Sequence, residues 1–328
     1  MRFIVASYGP RHSGMLLTHL HSIARSHPSA RVSVYWQDIP NRLLDPIRAL
    51  FPNTDFIRTD FDLSSDFLQR ISSKLNAWCR AVGEHAHEPQ ICLADVDTLI
   101  LRDLSAFFED PAQIVFTDKP ERSPLNSGVI LARGGEAASA FFRLWNERTL
   151  EILRTPELRR QANDYSLQYG GGDQMALYQM LGYERGRVAY EVPVEGHRVA
   201  VRCEPCAVLN ETNSLPINDR MHIIHFKSGW QPILLDGRPF TRNRPREKSW
   251  EMFTLYLERF SEALTALNTV AGRQFTARDF GVIVPFYYKN GDFSSPLYAL
   301  WCLREGIKTT GRNFRRALEI LGGAKRNK

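Results

Sequence analysis

Residues 91–99 read Ile-Cys-Leu-Ala-Asp-Val-Asp-Thr-Leu, an apolar run that ends in two carboxylates, Asp95 and Asp97, separated by Val96. The run is too short for a helix and reads as a buried strand. In extended chain, side chains at i and i+2 point to the same side, so both carboxylates can reach one metal ion. Asp60-Phe-Asp62 repeats the spacing. What singles out Asp95 and Asp97 is their position at the end of a strand, because open α/β sheets bind ligands there.

Outward from this run, the first half of the chain alternates short apolar runs with helical patterns. Residues 2–7, 31–36, 54–58, 90–94, 113–116 and 129–132 read as strands. Residues 12–26, 41–50, 66–82 and 136–153 read as helices, and a glycine-rich turn at 170–172 opens a shorter one. The alternation predicts an α/β domain with a mostly parallel sheet. Residues 187–201 and 222–226 read as further strands, and Gly237–Arg246 as a linker. Beyond it Trp250, Phe253, Leu257, Phe260, Leu264 and Leu267 recur at helical spacing, an apolar stripe that reads as core or docking surface. The chain divides accordingly into a domain at 1–235 and a helical, basic extension at 236–328.

The composition is that of a globular protein: 328 residues, 43% hydrophobic and 24% charged. No apolar run reaches the roughly 18–20 residues of a membrane span, and Met1–Gly14 carries no cleavage-type site and reads as a first strand. Five cysteines, an odd number, fit a reducing compartment. Together these predict a soluble, cytoplasmic chain. Cys203 and Cys206 form a lone pair that reads as two thiols in a turn, and His85 and His87 read as surface. From Arg304 onward eight basic residues face two acids, which equals the net charge of +6 of the whole chain. Arg238, Arg242, Arg244, Arg246 and Lys248 form a second basic cluster. Such clusters are solvated faces or bind anionic surfaces. No nucleic-acid-binding signature accompanies them.

Four segments fall in order along the chain: Asp95-Val96-Asp97, Asn126-Ser127-Gly128, Gly172-Asp173-Gln174, and His225-Phe-Lys227-Ser-Gly229-Trp230. Over roughly residues 1–235 they resemble the GT-A glycosyltransferases, in particular glycosyltransferase family 8, which includes glycogenin and bacterial lipopolysaccharide galactosyl- and glucosyltransferases. The resemblance implies a Rossmann-like mixed sheet and transfer of a hexose, with retention, from a nucleotide-diphosphate sugar such as a UDP-sugar to a saccharide or glycolipid. It implies that Asp95, Asp97 and His225 hold Mn²⁺ or Mg²⁺, that Lys227 meets the diphosphate, and that Gly229 lies in the donor site. Asn126 and Ser127 would lie against the donor sugar, and of the catalytic pair Asp173 would bind the sugar's hydroxyls while Gln174 would sit beneath its anomeric carbon. Ala6, Tyr8, Lys74 and Val96 complete the donor site.

The sequence departs from the family pattern in three places. Lys227 follows His225 by two residues where the family has six. Ala6-Ser7-Tyr8 replaces an acid that helps to read uracil. Met175-Ala-Leu-Tyr178 stands where the family has a further Asp and Asn. Read singly, each segment has a plainer alternative: a core histidine, a turn before a strand, an Asp capping a helix, a surface lysine at position 74. Asp95-Val-Asp97-Thr also resembles the first motif of the haloacid-dehalogenase phosphatases, with Thr117 as a second motif. In that reading Asp95 is a nucleophile and Asp97 a general acid/base. A non-catalytic sugar-nucleotide-binding protein is the third class. The basic tail suggests contact with the inner face of a membrane. Removal of residues 304–328 is expected to abolish low-salt co-sedimentation with anionic liposomes; a full-length chain that stays in the supernatant contradicts this.

Overall fold

A computed structural model describes residues 1–64, 66–118, 125–164, 171–212, 217–227, 234–235 and 248–282. Gly229, Trp230, the basic cluster at 238–246 and the basic tail from Arg304 lie outside the described residues.

The first strand, β1 (Arg2–Tyr8), is buried along almost its whole length. Its side chains alternate between two cores: Phe3 and Val5 enter one, Ile4 and Ala6 the other. A strand covered on both faces must be apolar on both, so it reads as a continuous run rather than an alternation. β2 (Arg31–Gln37), β3 (Thr54–Arg58) and β4 (Ile91–Asp95) lie parallel to it in the order β3-β2-β1-β4. Beyond β4 the sheet continues through β7 (Leu125–Ala132), β6 (Ile114–Asp118), β9 (His197–Pro205) and β8 (Ala189–Val194).

The sheet is mixed, not mostly parallel. β7 runs antiparallel to both β4 and β6, and β8 antiparallel to β9. A parallel pair needs a crossover of a dozen or more residues. The few residues between β6 and β7 allow only a return. Residues 187–201 are likewise not one strand but part of the β8–β9 hairpin. Its two-residue turn, Glu195-Gly196, has φ of 47° and 82°, as such hairpin turns require.

Helices cover both faces. α1 (Ser13–Ser26), α2 (Asn41–Leu50) and α8 (Lys248–Ala271) lie on one side. α3 (Phe67–Glu84), α4 (Glu136–Arg154) and α6 (Gly172–Leu181) lie on the other, with α5 (Pro156–Asn163) beside them and α7 (Cys206–Leu209) after β9. The stripe expected at 250–267 is core: Phe253, Leu257, Phe260 and Leu267 are buried in the same cluster as Phe3 and Leu16. The opposite core is aromatic, with Phe116 edge-on to Trp145 at 5.4 Å and 87°. Among the described residues no helix is long and apolar enough to cross a membrane.

Beneath the sheet end, β5 (Thr98–Ile100) pairs antiparallel with β10 (Ile223–His225). β10 falls within the strand read at 222–226, whereas β5 was legible only as the tail of the Asp-x-Asp run. Its register sets His225 opposite Thr98. α1 anchors it: His19 Nδ1 donates to the Thr98 carbonyl at 2.8 Å, and Ser22 Oγ accepts from the Ile100 amide at 3.1 Å. Burial pulls the pKa of His19 down to about 4, outweighing the Thr98 hydrogen bond and the Asp97 charge, which act the other way. Between pH 6.5 and 4 the unfolded chain therefore binds a proton at His19 that the native chain refuses, so stability falls as pH falls. The expected loss from His19 is about 2 kcal/mol between pH 7 and 5. Urea unfolding at both pH values should show it, and His19→Asn should remove that part of the pH dependence.

Candidate active site

β1 has β2 on one side and β4 on the other, so the sheet reverses its order between β1 and β4. Crevices form at such switch points, outside the carboxyl ends of the strands. The register sets Ala6 opposite Asp95. β7, being antiparallel, begins at this same end and brings Asn126, Ser127 and Gly128. α3 crosses above with Arg70, Ile71 and Lys74 on one face, spaced at i, i+1 and i+4 as a helix requires. α6 starts here with Asp173 and Gln174. The result is one cavity of about 390 Å³, within the size range of small-molecule sites.

Every residue that the sequence singled out for a donor or metal role, and that lies in the described part, lines this cavity: Ala6, Tyr8, Lys74, Asp95, Val96, Asp97, Asn126, Ser127, Asp173, Gln174, His225 and Lys227. Gly229 lies outside the described residues. Gly128 of the Asn126-Ser127-Gly128 segment lines it too, as do Arg70, Ile71 and His12, which were not read from the sequence. Arg70 had a signal, one helical turn before Lys74. His12 had none: a short 3₁₀ turn at Pro10–His12 brings it back, and its Nδ1 lies 2.7 Å from the Tyr8 carbonyl oxygen.

Asp95, Asp97 and His225 each offer a ligand atom, all within 4.8 Å of one another. His225 Nε2 stands 3.1 Å from Asp97 Oδ1 and 3.7 Å from Asp95 Oδ2. Two features seat the trio. The Phe226 amide donates to the Asp97 carbonyl at 2.8 Å, and Thr98 Oγ1 donates to the Asp95 carbonyl at 2.8 Å. Two oxygens and one imidazole form a donor set suited to Mn²⁺ or Mg²⁺ rather than to a structural zinc site. The residues thus fit a divalent cation.

Lys74 is not a surface lysine. Its ammonium donates to both Asp95 oxygens, at 2.7 and 3.0 Å, and sits 4.6 Å from the Trp78 ring centre. Burial alone would drive it toward neutrality, but Asp95 and Asp173 hold its proton more tightly than usual. At Asp95 the balance falls the other way. Burial raises its pKa, Lys74 and His225 pull it down, and Asp97 adds to the rise.

Asp173 does not cap its helix; that position is Gly171. One Asp173 oxygen accepts from Ser127 Oγ at 2.7 Å, and the other, Oδ1, has no partner among the described residues. Asn126 Oδ1 accepts from the Gly128 amide at 2.9 Å, and its buried Nδ2 has no partner among the described residues. Gln174 Oε1 is a third buried atom without a partner among the described residues. A native interior satisfies its polar atoms, so three orphans at one cavity point to a ligand. Tyr8 lies against Phe61, ring centres 4.8 Å apart, and burial raises its pKa.

The remaining readings resolve simply. Cys203 lies in β9 and Cys206 opens α7; both are buried. His87 is exposed, but His85 is half-buried, with Nε2 3.2 Å from Ser33 Oγ. Thr117 faces Asn210 and Asn126, not the cavity, which removes it as a phosphatase motif.

No protein-family model and no curated protein sequence matches the chain. Solved structures do. The glycosyltransferase GlyE of Streptococcus pneumoniae TIGR4 superposes with a TM-score of 0.53 at 13% identity, over 83% of this chain and 63% of that one. Its apo form gives 0.51 at 14% identity over the same shares. The galactosyltransferase LgtC, solved with donor and acceptor sugar analogues, gives 0.46 at 13% identity, over 84% of this chain and 97% of that one. The chain spans less than two thirds of the GlyE length. The fold is that of the GT-A glycosyltransferases.

Gly128 is where the site tolerates no side chain. A Cβ there would lie 2.7 Å from His225 Nδ1, closer still to Cε1, and 3.1 Å from Asp95 Oδ2. Gly128→Ala is expected to cost about 1–3 kcal/mol, as overpacking does, read as a lower urea midpoint. An unchanged midpoint would mean that the imidazole can step aside.

Proposed function

We propose that the chain is a glycosyltransferase that moves a hexosyl group from a nucleotide-diphosphate sugar, a UDP-sugar, to a saccharide or glycolipid acceptor, with Mn²⁺ or Mg²⁺ and with retention of configuration. One observation carries the reading. At the strand-end crevice of a GT-A fold, a carboxylate–carboxylate–imidazole trio shares a cavity with an unpartnered amide donor, Asn126 Nδ2, and an unpartnered carboxylate acceptor, Asp173 Oδ1.

A hydroxyl both accepts and donates, so a sugar hydroxyl is a group that could satisfy both atoms. Lys74, Arg70 and Lys227 line the same space and supply positive charge for a diphosphate. A bound divalent cation would offset charge that builds on the leaving phosphate. Gln174 offers an amide, a poor nucleophile, which favours front-face substitution over a covalent glycosyl-enzyme. Tyr8, at the end of β1, presents a ring on which a base can stack. A phosphohydrolase using Asp95 as nucleophile is disfavoured, since Thr117, its second motif, faces Asn126 and Asn210 rather than the cavity.

The test is thermal unfolding with UDP, GDP, CDP or ADP, each with Mn²⁺ or EDTA. A ligand at a hundredfold excess over its Kd adds about 2.7 kcal/mol, which raises Tm by several degrees. The expected outcome is a Mn²⁺-dependent rise with UDP that Asp97→Asn abolishes. No rise with any nucleotide would overturn the proposal.

A further inference from the structure

Asn210 has no place in the sequence reading and does not line the cavity, yet it holds the imidazole of the site. It directly follows α7, at the end of that short helix. The next residue joins β10 edgewise: the Glu211 amide donates to the Ile223 carbonyl at 3.0 Å, and the His225 amide to the Glu211 carbonyl at 2.9 Å. Asn210 is thereby set beside His225 in a fully buried position. Its Oδ1 lies 2.8 Å from His225 Nδ1, and its Nδ2 lies 2.9 Å from Thr117 Oγ1.

An asparagine amide can be turned either way, so its neighbours must decide the assignment. Here they do. Thr117 Oγ1 lies 3.2 Å from the Asn126 carbonyl oxygen, and a carbonyl can only accept. Thr117 therefore spends its one proton on Asn126 and must accept from Asn210. Asn210 must offer it Nδ2, which turns Oδ1 toward His225. An acceptor facing Nδ1 requires that nitrogen to carry hydrogen. The lone pair left for a cation is then on Nε2, the ring atom that faces Asp95 and Asp97.

We infer that Asn210 is a positioning residue for the metal centre: backed by Thr117, it fixes His225 in the Nδ1–H tautomer and aims Nε2 at the cation. This rests on the cation reading proposed above. Partners of this kind change metal affinity by roughly 10–100-fold when removed. The chain runs on to the Asn126 backbone, so the strand that carries the sugar-facing amide also fixes the histidine.

The test uses the full chain and Mn²⁺ titration calorimetry without nucleotide. Asn210→Leu, similar in size but without an acceptor, is expected to weaken Mn²⁺ binding by about 10–100-fold. Asn210→Asp, which keeps an acceptor at Nδ1, is expected to bind nearly as the parent does. Unchanged affinity in Asn210→Leu, with a parent that binds, overturns this inference alone. A parent that binds no Mn²⁺ overturns the cation reading and this inference with it. Should Asn210→Leu not fold, the parent decides: long-range ¹H–¹⁵N correlation of the Cd²⁺-loaded chain is expected to show hydrogen on His225 Nδ1 and coordination at Nε2. Coordination at Nδ1 overturns the inference.

Discussion

Asp95 and Asp97 are two negative charges that the fold holds together at the inner end of a crevice, and most of the surrounding structure answers that constraint. A carboxylate out of water needs a counter-charge or hydrogen-bond donors. Lys74 supplies the first to Asp95 from α3, with both oxygens engaged. His225 is brought to Asp97 from more than a hundred residues away by the β5–β10 pair. α1 in turn grips β5 through His19 and Ser22. The small two-stranded piece is thus no ornament on the main sheet. It keeps an imidazole within reach of two carboxylates that would otherwise face water or each other.

What the sequence made legible follows from how local each signal is. β1, β2 and β4 are buried on both faces, so their apolar runs announce themselves whatever their neighbours are. Asp95 and Asp97 stood out because such a run stops at them. The helices at 41–50 and 248–271 are found from their apolar stripes. The strand pairing is another matter: nothing in Leu125–Ala132 says that it runs against β4 rather than with it. That direction comes from the shortness of the connection.

Among the site residues, the gap between reading and structure lies in the contacts between distant segments. Lys74 looks like any lysine on a helix until β4 places Asp95 beneath it. Asn210 carries no signature at all, because its partners stand 15 and 93 residues away in the chain. Gly128 is legible as a small residue in a turn, whereas its reason is an imidazole that would meet any side chain there. Most residues that touch the cavity can be guessed from chemistry and order along the chain, His12 being an exception. Those that hold them in place cannot, since their role is set by neighbours that only the fold supplies.

The position of α8 has an effect on how the molecule responds as a whole. Its buried residues Met252, Phe253 and Tyr256 share one apolar cluster with Val5, Ala94 and Leu99, on the strands that end in the crevice. α8 joins this cluster across α1 and α2, so helix and sheet are expected to unfold together. They belong to one cooperative unit. Whatever binds at the mouth of the sheet therefore protects the backbone amides of a helix on its far side. Conversely, loosening that helix drains occupancy from the crevice without altering a single residue that lines it.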